Sequence, residues 1–312
     1  LPMYINLEAE ILLEISTYMP DIVVLVDFPG FNLRLCQKIK KYSPNTKIVY
    51  YFPPQVWAWN QGRTKILAKY CDLVLCGLPF EEDFHRKRGV NAYYVGSPIV
   101  NELEKFNKIA LRKEFGVENN ETLIGIFPGS RKSEINFMFR LQLKAAKMIK
   151  KEFSKCRFFV CQANTIPYET LSNIISEEFP EAHLLLSGNN HRLLCASDYL
   201  WLTSGTVTLE GALYENPLIL GYRGNMINYI LYLIFKRVDM IGLPNIISGK
   251  KIVPELIQYE TTSENYYSTT KQWILNPQTL KETKENLSKL KDILGDRNAS
   301  KEAALKIKEL LA

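Results

Sequence analysis

The sequence predicts an α/β protein of two successive doubly wound, Rossmann-like units facing across a cleft. Three observations carry this prediction. Apolar runs without alternation recur, as at residues 22–26; helices of about ten residues lie between them; and a polar interruption at residues 97–120 separates two such series. Unalternating β-branched runs mark strands covered on both faces, and their repetition with helices marks βαβ crossovers.

Taken in order, residues 1–19 read as an amphipathic helix with Ile5, Leu7, Ile11, Leu12 and Ile15 on one face. The apolar run 22–26 ends at Asp27 and a Pro-Gly turn, which closes a strand. A helix at 33–42, a strand at 47–52, a helix at 62–70, a strand at 73–76, a helix at 81–88 and a strand at 92–95 complete the first series. A helix at 109–115 lies in the polar stretch. The second series has strands at 123–127, 157–160, 183–186, 199–202 and 218–220, with helices at 133–153 and 206–214 among those between them. Residues 277–312 are charged and helical, with Leu287, Leu290, Ile293 and Leu294 on one face. No internal repeat or low-complexity segment interrupts the pattern.

Composition narrows the class. The chain has 312 residues, 46% of them apolar, and 39 Lys and Arg against 33 Asp and Glu, a net charge of +6. At roughly 150 residues per domain this length gives two domains, and the apolar content excludes general disorder. Six cysteines, spaced as Cys71-x4-Cys76 and Cys156-x4-Cys161 among others, match no common zinc pattern, so buried reduced thiols and a cytosolic location are expected. No apolar run reaches the roughly 20 residues of a membrane-spanning helix. The positive balance favours an anionic partner without choosing among nucleotide phosphates, acidic lipid headgroups and nucleic acid.

Ligands of open α/β sheets bind at the carboxyl ends of strands, so the residues after each strand are the candidates. The first is Phe127-Pro128-Gly129-Ser130-Arg131 with Glu134. Gly129 lets the backbone approach a ligand, amides at the helix start point outward, and Arg131 offers a fork that fits a phosphate; a tight turn with Ser130 as helix cap is the plain alternative. The second is Thr203-Ser204-Gly205-Thr206, followed one helical turn later by Glu210. Small hydroxylated residues around a glycine can meet a pyrophosphate and the carboxylate a ribose, or the stretch is a capped helix with a surface glutamate. The third is Asp27, at the end of a buried strand, either a base for a hydroxyl nucleophile or the cap of a helix beginning near Asn32. The aromatic stretch 50–60, with Trp57 and Trp59, is unusual at a strand-to-loop boundary; core packing is its bland reading. His85, His183 and His191 form no ligand pair, so no metal site is expected, and neither a Gly-x-x-x-x-Gly-Lys-Ser/Thr loop nor a Gly-x-Ser-x-Gly elbow is present.

Read together, Val26-Asp27-Phe28-Pro29-Gly30-Phe31-Asn32, Pro54-Gln55-Val56-Trp57-Ala58-Trp59, Phe127-Pro128-Gly129-Ser130-Arg131, Ser204-Gly205-Thr206 with Leu209-Glu210, Gly221-Tyr222-Arg223 and Leu243-Pro244-Asn245 resemble the lipid A disaccharide synthase family in that family's order. The resemblance implies a GT-B glycosyltransferase with no cofactor and no metal. It implies inverting transfer of 2,3-diacylglucosamine from its UDP derivative to the 6-hydroxyl of 2,3-diacylglucosamine 1-phosphate. By position, Asp27 matches the proposed general base and Arg131 the catalytic arginine, assigned to the UDP phosphates with the Gly129 and Ser130 amides. Ser204, Gly205, Thr206 and Glu210 would hold the nucleotide, Glu210 its ribose; Asn245, Arg223, Asn32 and Trp57 are further substrate-side candidates.

Both substrates carry acyl chains, so the resemblance implies a cytoplasmic protein at the inner-membrane surface, with no nucleic-acid partner and a homodimer left open. Residues 226–240 have the apolar and basic composition of an interfacial segment, or of a core helix. The expected domains are 1–107 on the acceptor side, 108–285 on the UDP-sugar side, and a tail at 286–312. Ser97 stands where the family usually has histidine and Asn60 where it has arginine. The family opens with a strand, a Gly-rich turn and a helix that have no counterpart here, so the first domain is expected to be incomplete. Competing readings are another UDP-N-acetylglucosamine enzyme of the same fold, such as an epimerase or a lipid-linked transferase, and a non-catalytic UDP-binding module.

Overall fold

A computed structural model describes residues 2–224 and 239–312. Among these, ten strands form two wholly parallel sheets, but the apolar run 22–26, expected to be covered on both faces, is an edge strand in which only Leu25 is buried and Val24 and Val26 are exposed. The stretch 226–240, expected at a membrane, lies largely outside the described residues. The chain divides into two units: one gathers the residues up to Asn101 with 294–312, the other holds 102–224 and 239–293.

Unit 1 contains α1 (Pro2–Tyr18), β1 (Ile22–Val26), α2 (Pro29–Tyr42), β2 (Lys47–Tyr51), α3 (Thr64–Tyr70), β3 (Leu73–Cys76), α4 (Pro79–Arg86), β4 (Ala92–Tyr94) and α5 (Pro98–Asn101). Its sheet runs β1-β2-β3-β4. One face packs Leu25, Ile48, Tyr50 and Val74 against Ile15, Phe31, Leu35 and Ile39 of α1 and α2. The other packs Val49, Leu73, Leu75 and Val95 against Ala299 and Ala303 of the helix Ala299–Leu311. Helices α2 and α4 start earlier than the apolar periodicity predicts because Pro29 and Pro79 open them. Proline at the first helical position gives up only an amide that has no intrahelical partner. In α1, Ile15 is buried but Ile5 is 59% exposed and Leu7 is also exposed, so the expected apolar face is only partly used.

Unit 2 contains α6 (Lys108–Glu114), β5 (Thr122–Phe127), α7 (Lys132–Glu134) running through a π turn at Ile135–Phe139 into α8 (Arg140–Glu152), β6 (Cys156–Cys161), α9 (Tyr168–Glu178), β7 (His183–Leu185), α10 (Asn190–Ala196), β8 (Tyr199–Thr203), α11 (Val207–Leu213), β9 (Leu218–Tyr222) and β10 (Glu255–Ile257). Its sheet runs β10-β9-β8-β5-β6-β7. Alternate strand residues Ile124, Ile126, Phe158, Val160 and Trp201 point toward α8, α9 and the helix Ser263–Leu275. On the opposite face α10 comes so close to β5 that a Cβ on Gly125 would lie 2.5 Å from the Ser197 Oγ. Asp198, just before β8, fixes the register at the amino ends: its amide donates to the Leu123 carbonyl (2.8 Å), and its carboxylate accepts from the Leu123 amide (2.9 Å) and Arg112 Nη1 (2.7 Å).

The tail breaks into two helices, Pro277–Leu294 and Ala299–Leu311, at Gly295 with φ 66°. Leu287, Leu290 and Leu294 are buried, but Ile293 is 42% exposed and does not share their face. The six cysteines are all free and buried.

Two buried titratable groups one turn apart on α4 have opposite shifts. Burial pushes the Glu81 carboxyl up to about 7, against the pull of hydrogen bonds from Trp57 and backbone amides. Burial, with the Arg88 charge adding to it, pushes His85 down to about 4, and neither ring nitrogen has a hydrogen-bond partner. Between about 4.5 and 7 the folded protein holds the Glu81 proton more tightly than the unfolded chain, so this group lowers stability as pH rises. Between about 4 and 6.5 the folded state refuses the His85 proton, so that group raises stability as pH rises. The two slopes oppose each other. Urea unfolding of Glu81→Gln is expected to show stability climbing relative to wild type between about pH 4.5 and 7, by on the order of 3 kcal/mol. His85→Leu should show a fall over the acidic range instead.

Candidate functional site

The chain leaves β5 toward one edge through β6 and β7, then returns to the other side of β5 with β8, β9 and β10. Phe127 and Leu202 are register partners, so the loops after β5 and β8 diverge from adjacent strand ends. A crevice opens at such a reversal. Here it is a cavity of about 340 Å³ lined by Gly129, Ser130, Glu134, Ser204, Gly205, Thr206 and Glu210 with Gln162, Asn164, Asn190 and Thr203. Six sequence-predicted residues are thus brought together in unit 2.

Gly129 has φ 117°, open to glycine and strained for other residues. A Cβ there would lie 2.5 Å from Glu134 Oε2, so the glycine is what lets that carboxylate fold back over the turn. Glu134 Oε2 accepts from the Ser130 amide (2.8 Å) and the Arg131 amide (3.1 Å), and Oε1 accepts from Arg131 Nη1 (2.8 Å). Ser130 therefore does not cap the helix with its side chain, and its amide, expected to face phosphates, is engaged by Glu134. The Ser130 carbonyl is held by the Thr165 hydroxyl at 2.5 Å. The Arg131 side chain is 76% exposed.

After β8, the Ser204 amide donates to the Gly221 carbonyl (3.0 Å) and so belongs to the ladder. The Gly205 carbonyl accepts from the Thr208 amide (3.2 Å) and hydroxyl (2.7 Å), which closes the first turn of α11. Glu210 faces the cavity, and its burial raises the carboxyl above its ordinary range while His191 partly offsets that. Thr203 Oγ1 is buried without a hydrogen-bond partner on the same wall. Buried hydroxyls without a partner are uncommon in folded proteins. The strand-end rule points to Gln162, and the acid three residues after Arg131 is the signal for Glu134. The candidate stretches contain Glu134 and Thr203 without giving either a role of its own, and Gln162 lies outside them.

In unit 1, Asp27 and Phe28 both take positive φ, 46° and 40°, directly after β1. Asn32 Nδ2 donates to the Val26 carbonyl (3.0 Å) and the Asp27 carbonyl (2.8 Å), and Tyr50 Oη donates to the same Asp27 carbonyl (2.6 Å). Two side chains thereby hold a strained corner that leaves the Asp27 side chain exposed. Asp27 does not cap α2, whose N-cap is Phe28. Asn32 is buried and works on backbone. Trp57 is buried too, with Nε1 donating to Glu81 Oε1 (2.9 Å) and its ring edge-on to Phe80. Trp59 is exposed, with the Arg63 guanidinium 5.2 Å from its ring centre.

Asn245, in the helix Leu243–Ser248, is fully buried: Nδ2 donates to the Val253 carbonyl (2.9 Å) and Glu255 Oε1 (2.8 Å), while Oδ1 accepts from the Ile252 (2.7 Å) and Val253 (2.9 Å) amides. It is not in the cavity wall. Arg223 is exposed just past β9. Among the described residues no three His, Cys, Asp or Glu side chains gather as a metal site.

Solved structures share this fold. The chain superposes with a TM-score of 0.67 on UDP-GlcNAc 2-epimerase from Neisseria meningitidis bound to UDP-GlcNAc, at 12% identity and covering 98% of this chain and 81% of that one. With a glycosyltransferase from Rickettsia africae the TM-score is 0.56 at 13% identity, covering 99% and 81%. The fold is therefore the GT-B class of glycosyltransferases and sugar-nucleotide epimerases. Within that class, the Lipid-A-disaccharide synthetase family model matches residues 1–308, and the chain belongs to that family. It is 34% identical to the lipid-A-disaccharide synthase of Myxococcus xanthus over 293 residues, 94% of this chain and 76% of that protein. It is also 34% identical to the one from Syntrophus aciditrophicus over 287 residues, 92% and 74%.

Replacing Gly129 by alanine should push Glu134 out of the turn. Calorimetric titration with UDP is expected to show at least a roughly tenfold loss of affinity, while the thermal midpoint falls by only a few degrees, in line with a local strain of about 1–3 kcal/mol.

Proposed function

We propose that this chain transfers 2,3-diacylglucosamine from UDP-2,3-diacylglucosamine to the 6-hydroxyl of 2,3-diacylglucosamine 1-phosphate, with inversion, releasing UDP and the disaccharide 1-phosphate. The observation that carries this is the cavity at the β5–β8 reversal, lined by Gly129, Ser130, Ser204, Gly205, Thr206 and Glu210 of the residues the family resemblance assigns to UDP, while Arg131 stands exposed in the turn beside it. In this reading Asp27 takes the proton from the acceptor hydroxyl. The freed oxygen forms its bond to the anomeric carbon as the bond from that carbon to the diphosphate oxygen breaks. The Arg131 guanidinium receives the charge that develops on the leaving diphosphate, and Ser204, Gly205, Thr206 and Thr203 hold the nucleotide's polar groups. Glu210 accepts from the ribose hydroxyls.

Asn32, Tyr50 and the strained corner at 27–28 aim the base; Trp57 with Glu81, and Asn245 with Glu255, support the loops around them. A base of this kind contributes about 10²- to 10⁴-fold, and preorganised charge on a leaving group about 10²- to 10³-fold. Product formation by Asp27→Asn should fall by the first factor and by Arg131→Ala by the second. Glu210→Gln should raise KM for the UDP-sugar about tenfold and leave kcat nearly unchanged. UDP binding without any disaccharide from the wild-type chain would favour the non-catalytic reading, and no UDP binding would defeat both.

We further propose that the protein meets its lipid substrates on an anionic cytoplasmic membrane surface. No helix among the described residues is long and apolar enough to cross a membrane, and the net charge is +6. Co-sedimentation with phosphatidylglycerol vesicles should rise with their anionic fraction and fall with salt. Protein that stays in the supernatant at low salt contradicts this.

A further inference from the structure

We propose that Glu134 is the positioning residue for the donor's diphosphate: it holds Arg131 in place before the nucleotide arrives. The inference rests on the reading of Arg131 given above. One nearly buried carboxylate grips the backbone and the side chain of the same residue, through the Arg131 amide (3.1 Å) and Nη1 (2.8 Å), and takes the Ser130 amide (2.8 Å) as well. Both faces of the turn are fixed, because the Thr165 hydroxyl holds the Ser130 carbonyl at 2.5 Å.

This arrangement has two chemical consequences. The Ser130 and Arg131 amides are committed to Glu134, so the diphosphate is met by guanidinium N–H groups. Only Nη1 of the guanidinium is engaged, which leaves the other donors of its planar fork for phosphate oxygens. An arginine this exposed otherwise loses rotamer freedom at the moment of binding. Held by Glu134, it has lost that freedom beforehand, and the charge is already placed when the leaving group departs.

The test is a double-mutant cycle with chemical rescue, on full-length Arg131→Ala, Glu134→Ala, Glu134→Gln and Arg131→Ala/Glu134→Ala, with thermal midpoints recorded. Glu134→Ala and Glu134→Gln are expected to lose about tenfold or more in kcat with little change in acceptor KM, and the double variant should be no worse than Arg131→Ala alone. Millimolar guanidinium ion should restore activity to Arg131→Ala, where Glu134 is present to seat it, and not to the double variant. Additive losses, equal rescue in both backgrounds, or tighter UDP binding by Glu134→Gln would each overturn the proposal. Wild-type activity in Arg131→Ala would instead remove the Arg131 reading and this inference with it. If Glu134→Ala does not fold, Glu134→Gln and the rescue of Arg131→Ala by guanidinium in a Glu134→Gln background decide the same question.

Discussion

The parallel pairing of β5 with β8 is the constraint on which the donor side depends. It joins strands separated in sequence by β6 and β7 and three crossovers, and it sets the loops after Phe127 and Thr203 side by side. Asp198 makes that pairing specific at the amino ends by bonding both backbone groups of Leu123 and the Arg112 guanidinium. A one-residue slip would turn every side chain of β8 to the opposite face, burying Leu200 and Leu202 where Trp201 now packs. Trp201 opposes it further through its hydrogen bond from Nε1 to Thr270 Oγ1 (2.9 Å). The cavity is thus located by contacts at the far end of the strands from it.

Polar side chains close to the proposed chemistry are largely spent on the protein itself. Asn32 holds two carbonyls, Asn245 makes four hydrogen bonds, Glu81 holds Trp57, and Glu134 holds Arg131. Buried groups satisfied in this way fix loops within a fraction of an ångström, which is what a reaction between two bulky sugars requires of the few side chains that touch them. The Asp27 side chain, left exposed, and Thr203 Oγ1, left unpaired, are among the groups the proposed reaction uses.

Strands such as Thr122–Phe127 were legible because they carry their burial in their own composition, whereas Ile22–Val26 has the same composition but lies at a sheet edge with only Leu25 buried. Helix starts were less so: Pro29 reads as a turn residue and Pro79 as lying ahead of its helix, while in the fold each opens one. Ile5 and Ile293 fit an apolar periodicity that no neighbour completes. At the site, the strand-end rule located the loops after β5 and β8 without any knowledge of tertiary contacts. What it could not show is who spends which hydrogen bond. The capture of the Ser130 amide by Glu134 depends on a positive φ at Gly129, and the burial of Asn245 depends on the strand 255–257 beside it.

The division of the tail bears on the order of folding. Val49, Leu73, Leu75 and Val95 are covered by Ala299 and Ala303, and Tyr94 Oη donates to the Leu294 carbonyl at 2.6 Å across 200 residues of chain. Throughout the synthesis of residues 102–293, one apolar face of the first sheet has no cover from its own helix. Contacts so distant in sequence close slowly, and an open apolar sheet in the meantime is a target for chaperones or for aggregation. The first sheet is therefore completed only after residues 102–293 have been made, and loss of the helix Ala299–Leu311 would be felt in β2, β3 and β4.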